Sequence, residues 1–542
     1  MLHKIESFFR TSTRLKINIL FFFAIIVYSW LAYTTIRVGS DDLRQLEASI
    51  NFIHGYGFSI LSIGESGSII THKLLAWPYI YRILAVPFLL LTNLNIELSF
   101  ILLLISSFAF LIYSIQFFIK NISLPYTITI RASFLFFSPF LIVPFKAMGA
   151  SDMIALACLI ISVAYFIVFF NNKGVNNKAI FLFFIFLSIL PHIRYAYVPL
   201  SMSGILLYCI TIFYNKNRFH KIHLVYILIV GTSLFFILTN EYFVSTSDRY
   251  VLSSTTKTAE DTFFWLKPFY APFFNAFVPD YIIVSFGQKF TSLWLTIAPY
   301  VFLCMSICSF IIMGMLMYYY ISNSRNFASL WKKEKLIETG LFVIIFSTLL
   351  FYVIIYRNHS YTYNEIISSK ILYKNLSVVN RYFAPIYLST LILALIYSIK
   401  KQSKFFAYLL IILCLFSVTH FIYMRTIYHP YSRDINMTIV NKPPGSYADS
   451  KKIGTIIKEN RKDNLVYVIN DVENVKANCR QITPILFARA NGAIASHFKN
   501  TENISIRNKQ EWYYITFADK EINNSKWKLA YKGSIYSLYK SK

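Results

Sequence analysis

Charge is scarce in this chain: charged side chains make up 14% of 542 residues, and only 25 of those residues are Asp or Glu. Soluble domains carry about a quarter charged residues, so that composition excludes an ordinary globular or disordered chain. Cysteine is also sparse. Cys158, Cys209, Cys304, Cys308 and Cys414 lie within apolar runs, and Cys479 stands alone in the tail. A lone tail cysteine excludes a disulfide within the tail, and no CxxC spacing suggests a metal. Cys304 and Cys308, four apart on one helical face, read as packing. Acidic residues are nearly absent from the centres of the apolar runs, and the two halves do not match. Both absences argue against a transporter or flippase, which needs mid-membrane carboxylates or broken helices and repeat symmetry. No internal repeat and no low-complexity segment is visible beyond a general Asn, Lys, Ile and Phe bias.

Apolar residues are abundant. The chain is 56% hydrophobic, with 52 Phe and 40 Tyr and a mean hydropathy of +0.53. Repeated apolar runs of about 20 residues suffice to cross a hydrocarbon core roughly 30 Å thick. Without two-residue alternation such runs mean helices and not a barrel. The reading is an all-α polytopic membrane protein. The net charge of +27 does not point to nucleic acid. Much of the Lys and Arg sits in short connections between apolar runs, and the rest is scattered without aromatic interleaving.

Lys4, Arg10, Arg14 and Lys16 precede the first apolar run, about residues 17–36. That run lacks a small-residue cleavage site and is too long for a signal-peptide core, so it reads as an anchor. Positive charge before it orients the N-terminus to the cytoplasm. Further spans are expected at about 97–118, 125–145, 152–171, 179–191, 198–214, 223–240, 291–320, 336–356, 382–399 and 404–424. The alternate connections that would then be cytoplasmic all carry Lys or Arg, which supports about 11 spans with the tail outside. Pro191 and Pro199 interrupt the pattern around 179–214. Residues 1–424 form the membrane domain, with a first outer loop at 37–96, and 425–542 a small soluble extracytoplasmic α/β tail. Within the tail, residues 465–470, 512–517 and 534–539 are strand-like, and 450–461 fits a surface helix. The Lys442-Pro443-Pro444-Gly445 cluster opens it, and no catalytic motif is visible there.

The first outer loop carries adjacent carboxylates, Asp41 and Asp42, about five residues past the first run. Ser40 suits an N-cap, with both acids in the first turn, where the helix dipole favours them. Leu43, Leu46, Ile50 and Ile53 form one apolar stripe, right for a helix lying in the membrane interface. Gly55 and Gly57 then end it. A helix cap accounts readily for one acidic residue and less well for two.

This order of membrane helix, acidic pair, short amphipathic helix and Gly-x-Gly resembles the first outer loop of the GT-C glycosyltransferases, of the protein mannosyltransferase and aminoarabinose transferase kind. The resemblance spans about residues 17–425, with short motifs. Where many relatives have a Pro-Pro pair in the later loop, this chain has Trp77-Pro78 and Pro87. It implies transfer of a sugar, with inversion, from a polyprenyl-phosphate donor to an outer-face glycan, lipid or protein. Such transfer needs a base for the acceptor's proton and positive charge for the departing phosphate. Asp41 or Asp42 would be the base. Asp152, in Ser151-Asp152-Met153, matches an acidic residue of the second outer turn that orients the acceptor or the base; a helix cap is the alternative. Arg194, in Pro191-His192-Ile193-Arg194, and Arg381, in Asn380-Arg381-Tyr382-Phe383-Ala384-Pro385, are candidates for the lipid phosphate. Lys73, Tyr81 and Arg82 are expected on a second interfacial helix, and Lys73, Arg82 and His192 are further substrate-binding candidates. A divalent ion is an open option, with Asp42, His54 and His72 as candidate ligands at no fixed spacing. Residues 241–290, with Trp265-Leu266-Lys267-Pro268, are long enough to gate the acceptor or to form an aromatic belt.

An O-antigen polymerase or ligase is the rival reading. Those enzymes also have about a dozen spans, but their chemistry is usually in a large late outer loop. Location in a bacterial inner membrane, with the site on the periplasmic face, is the expectation.

Overall fold

The computed structural model describes residues 22–30, 33, 40–63, 69–73, 78–121, 150–171, 176–214, 221–243, 291–322, 331, 335–358, 384–400, 403–410, 412, 446–460, 466–470, 487–488, 491, 493–496, 512–518, 522 and 526–542. The run at 125–145, the segment 244–290, Cys414, Cys479, Arg381 and the tail-opening linker lie outside them. The described chain is mostly helical and divides into two compact units.

The first unit takes in residues 106–239 and 253–423 together with the start of the chain as far as Tyr28. Its helices are the later part of α3 (Ile96–Asn121), α4 (Ala150–Asn171), α5 (Asn177–Ile193), α6 (Val198–Tyr214), α7 (Lys221–Phe243), α8 (Thr291–Ser322), α9 (Leu336–Asn358) and α10 (Ala384–Lys400). Each coincides with an apolar run. Among the described residues, Ile96–Asn121, Ala150–Asn171 and Tyr195–Tyr214 are long and apolar enough to cross a membrane. A 22-residue helix spans about 33 Å, which matches a hydrocarbon core.

Buried on every side, α4 is enclosed from Ala150 to Phe170 with few breaks. Ala155, Ala157, Ala164 and Ser162 let neighbouring backbones approach, the usual basis of helix association in lipid. Its main neighbour is α5, and α9 packs on α6 and α10. The α5–α6 approach is close. The Ser201 hydroxyl donates to the Leu187 carbonyl at 2.8 Å, and a Cβ on Gly204 would lie 2.8 Å from the Leu187 methyls. Phe235, Phe213 and Tyr318 turn outward, 68%, 78% and 64% exposed, as lipid-facing positions do. Cys304 and Cys308 are also exposed, so their spacing marks an outer face of α8 and not a packing seam.

The second unit, residues 29–105, 240–252 and 424–542, holds the first loop and the tail. Its elements are α1 (Ser40–Ile53), β1 (Ser59–Ile63), β2 (Ile69–Lys73), α2 (Tyr79–Leu91), the start of α3, α11 (Ser446–Asn460), β3 (Val466–Asn470), β4 (Ala493–Ser496), β5 (Trp512–Phe517), β6 (Trp527–Lys532) and β7 (Tyr536–Ser541). The strands form one seven-stranded mixed sheet in the order β2-β1-β4-β3-β5-β7-β6. The β1–β2 hairpin comes from the first loop and joins the tail strands where Ser62 pairs in parallel with Ala495 of β4. On one face of the sheet Tyr513, Ile515, Tyr536 and Leu538 pack with Ile453 and Ile457 of α11.

Asp449 in the first turn of α11 fastens that helix to the β6–β7 turn. Its carboxylate accepts from the Tyr531 hydroxyl at 2.9 Å and from the backbone N–H groups of Ile535 and Tyr536 at 2.7 and 3.1 Å. Gly533 passes so close that any Cβ there would run into this carboxylate.

Two expectations for the loop need correction. Lys73 ends strand β2, not a second interfacial helix; only Tyr81 and Arg82 lie on α2. And α1 is not a one-sided interfacial helix. Its stripe of Leu43, Leu46 and Ile50 is buried, but so are Arg44, Gln45, Glu47, Ser49 and Asn51 between those positions. The strands β1, β2, β4 and β6 were not foreseen.

Candidate functional site

The helix carrying the acidic pair starts at Ser40 and ends at Ile53, where Gly55 and Gly57 take φ of +86° and +70°. Only glycine adopts those angles freely, so the stop is sharp. Asp41 and Asp42 occupy the first turn, where unpaired N–H groups and the dipole favour carboxylates. Asp42 is half-buried, and the Tyr81 hydroxyl donates to its Oδ1 at 3.1 Å. Tyr81 is itself fully buried in the first turns of α2. One carboxylate of the pair is therefore held by a side chain from a second helix.

Arg82, the next residue, is also fully buried. Its Nη1 donates to the Phe58 carbonyl at 3.3 Å, and its guanidinium carbon lies 4.5 Å from the Tyr79 ring centroid. Such stacking suits a delocalised cation. The Ser49 hydroxyl donates to the Arg82 carbonyl at 3.0 Å, and Asn51 Nδ2 to the Ser59 carbonyl at 2.8 Å. These bonds interlock α1, β1 and α2.

The metal candidates are dispersed. Asp42 and His54 stand at opposite ends of α1, about 18 Å apart at helical rise, far beyond what one ion spans. His72 lies opposite Ile60 in the β1–β2 ladder. Among the described residues no three of His, Cys, Asp and Glu gather as a metal set.

In the first unit, Asp152 sits in the first turn of α4, and Arg194 follows α5 in an extended conformation, φ −149° and ψ 124°. That extension ends α5 and starts the short 3-10 turn Tyr195–Tyr197. It also swings the guanidinium to Asp152, giving an Arg194 Nη2 to Asp152 Oδ1 distance of 2.6 Å. The two side chains are 8% and 4% exposed. Two residues expected to serve separate roles thus form one buried ion pair. Tyr197, 4% exposed, is buried in the turn that follows Arg194.

His192 Nε2 lies 2.9 Å from Ser233 Oγ, whose hydroxyl donates to the Ser188 carbonyl at 2.8 Å. That bond ties α5 to α7. A turn along α4 from Asp152, Leu156 helps line an apolar recess with Ile160, Leu341, Pro385 and Leu388.

No family model matches the chain, and no curated protein matches it. Among solved structures, the crystal structure of ArnT from Cupriavidus metallidurans bound to undecaprenyl phosphate is similar, at 11% identity and a TM-score of 0.48. The match covers 96% of this chain and 97% of that one. At that identity and score the likeness settles nothing about activity.

Sequence reasoning singled out Asp42, Asp152, Arg194 and Arg82 but missed their partners. Tyr81 was named only as a helix residue, and nothing local signals that its hydroxyl meets a carboxylate 39 positions away. The buried charges Arg44 and Glu47 were missed as well. They lie off the apolar stripe of α1, where an amphipathic reading expects solvent.

Proposed function

We propose that this chain is an integral-membrane glycosyltransferase that moves a sugar from a polyprenyl-phosphate donor to an acceptor hydroxyl or amine on the outer face of a bacterial inner membrane. The observation that carries the reading is Asp42, half-buried in the first turn of a helix that follows the first apolar run and braced by Tyr81.

The chemistry balances simply. The acceptor's O–H or N–H attacks the anomeric carbon from the face opposite the phosphate. The new bond forms as the carbon–oxygen bond to phosphate breaks, and the phosphate leaves with the electron pair, giving inversion. The proton goes to Asp42 or Asp41 as general base. A braced carboxylate keeps its approach geometry, and Tyr81 supplies the brace.

Developing charge on the leaving phosphate calls for a cation. We assign that role to Arg194, whose permanent charge and forked donors suit phosphate oxygens. Asp152 then orients Arg194, a role additional to acceptor positioning. Arg381 and Lys73 remain proposed for the phosphate, and His192 for substrate binding. Arg82 is too enclosed to meet a ligand directly, and we assign it to holding the α1–α2 corner.

The experiment is transfer from a radiolabelled polyprenyl-phosphate sugar in membranes, comparing wild type with Asp41→Asn and Asp42→Asn at matched expression. Loss of transfer in one variant that still inserts supports the reading and identifies the base. Equal transfer in wild type and both variants reduces the pair to a helix cap and overturns the assignment.

A further inference from the structure

The tail helix α11 meets the corner between α2 and α3 through two lysines. Lys451 pairs with Glu97, and Lys458 Nζ donates to the Asn93 carbonyl at 2.9 Å. Seven residues apart, the two lie on one face of α11. The corner is unusual. Asn93 and Leu94 are consecutive non-glycine residues in the left-handed region, with φ of 52° and 58°. Asn tolerates that conformation, but leucine rarely adopts it. The Leu94 N–H returns to the Leu89 carbonyl at 2.7 Å and the Asn93 N–H to the Leu90 carbonyl at 3.2 Å, so the corner is locked to the last turn of α2. At the other end of α2 stands Tyr81, whose hydroxyl meets Asp42.

We propose that Lys458 is a positioning residue. Through it the tail helix clamps the strained α2–α3 corner, and α2 carries that constraint to Tyr81 and the Asp42 carboxylate. The proposal rests on the reading of Asp42 as a base. A second attachment works in parallel, since the β1–β2 hairpin that follows α1 joins the tail sheet at β4. The tail, in whose sequence no catalytic motif is visible, thereby gains a task in the reaction.

Of the two lysines, Lys458 carries the larger share. The Lys451–Glu97 pair has side chains 52% and 29% exposed, and pairs that wet are screened to near nothing. Lys458 instead gives a charge-assisted bond to a carbonyl in a backbone that resists its own conformation. Its side chain is largely exposed, yet the surroundings of its ammonium are buried enough to lower its pKa from the ordinary lysine value. The bland alternative is a surface lysine resting on whichever carbonyl is near. That alternative predicts that its loss changes nothing in α1 or α2.

The test uses the full-length protein in lipid nanodiscs, as wild type, Lys458→Met and Lys458→Arg. Amide hydrogen exchange is followed over residues 40–57 and 79–95, with transfer kinetics measured in parallel. We expect exchange across those segments to quicken about tenfold in Lys458→Met and to return toward wild type in Lys458→Arg. The turnover number should fall about tenfold in Lys458→Met while KM for the lipid donor stays near wild type, because misplacing a base slows chemistry without weakening donor binding. Unchanged exchange in Lys458→Met overturns the clamp, whatever the transfer assay gives. Faster exchange with an unchanged turnover number overturns the positioning role. Faster exchange in a protein whose wild type transfers no sugar upholds the clamp and overturns the glycosyltransferase reading, so the two fail separately.

Discussion

Removing either member of the Asp152–Arg194 pair leaves the other charged and enclosed, with side chains only 4% and 8% exposed. Breaking a buried ion pair from one side typically costs about 3–5 kcal/mol, on the order of 10²–10⁴-fold in a folding equilibrium. The two halves are not equivalent. Arginine keeps its charge whatever surrounds it. Asp152→Asn, which strands that permanent charge, is therefore expected to be the more damaging single change. The double variant Asp152→Asn/Arg194→Gln replaces two charges by two amides able to bond each other. It should recover about 2 kcal/mol or more of the summed single losses. The assay is equilibrium unfolding of the purified protein in detergent for all four members of the cycle. If the double variant loses the full sum of the singles, the two side chains do not interact and the pairing is refuted.

Tyr81→Phe deletes the hydroxyl on Asp42 and should lower the rate of sugar transfer about tenfold without moving KM for the donor, since a bond to a charged group is worth about 1.5–3 kcal/mol; kinetics at saturating donor check it. Gly204→Ala drives a Cβ to 2.8 Å from the Leu187 methyls and should destabilise the protein by about 1–3 kcal/mol, partly relieved by Leu187→Ala, as melting temperatures will show. Burial, and then the Asp449 carboxylate beside it, push Tyr531 up from 10.0 to about 12. Its folded-state pKa is raised, so its contribution is fully present below pH 10.0 and lost as pH climbs through about 12. A melting-temperature series should show that decline in wild type and lack it in Tyr531→Phe.

Much of the helical frame was legible because apolar runs announce themselves without any partner. The expected spans 152–171, 198–214 and 336–356 fall on Ala150–Asn171, Val198–Tyr214 and Leu336–Asn358. Even the stretch broken by Pro191 folds as helix, because Pro191 sits in the last turn of α5. The tail strand 512–517 was read to the residue. What stayed hidden depends on partners far along the chain. Ser59–Ile63, with serine at two of its five positions, has too little pattern to signal itself, and β1 owes its place in the sheet to β4, more than 400 residues later. β6 was missed for a different reason: as an exposed edge strand studded with lysine it looks like a solvated loop. For the site, residue types were legible and pairings were not. Asp152 and Arg194 each had a plausible separate task, and only the extended backbone at Arg194 brings them together.

The central claim is that the chain cleaves a sugar from a polyprenyl-phosphate carrier with a carboxylate of the first loop as base. Its most direct test is a single-turnover experiment with purified protein in nanodiscs, polyprenyl-phosphate sugar and an extract of candidate acceptors, following free polyprenyl phosphate over time. The account predicts release by wild type and none above background by the folded Asp41→Asn/Asp42→Asn double variant. Release at wild-type rate by the double variant, or none by wild type with any acceptor, would contradict it.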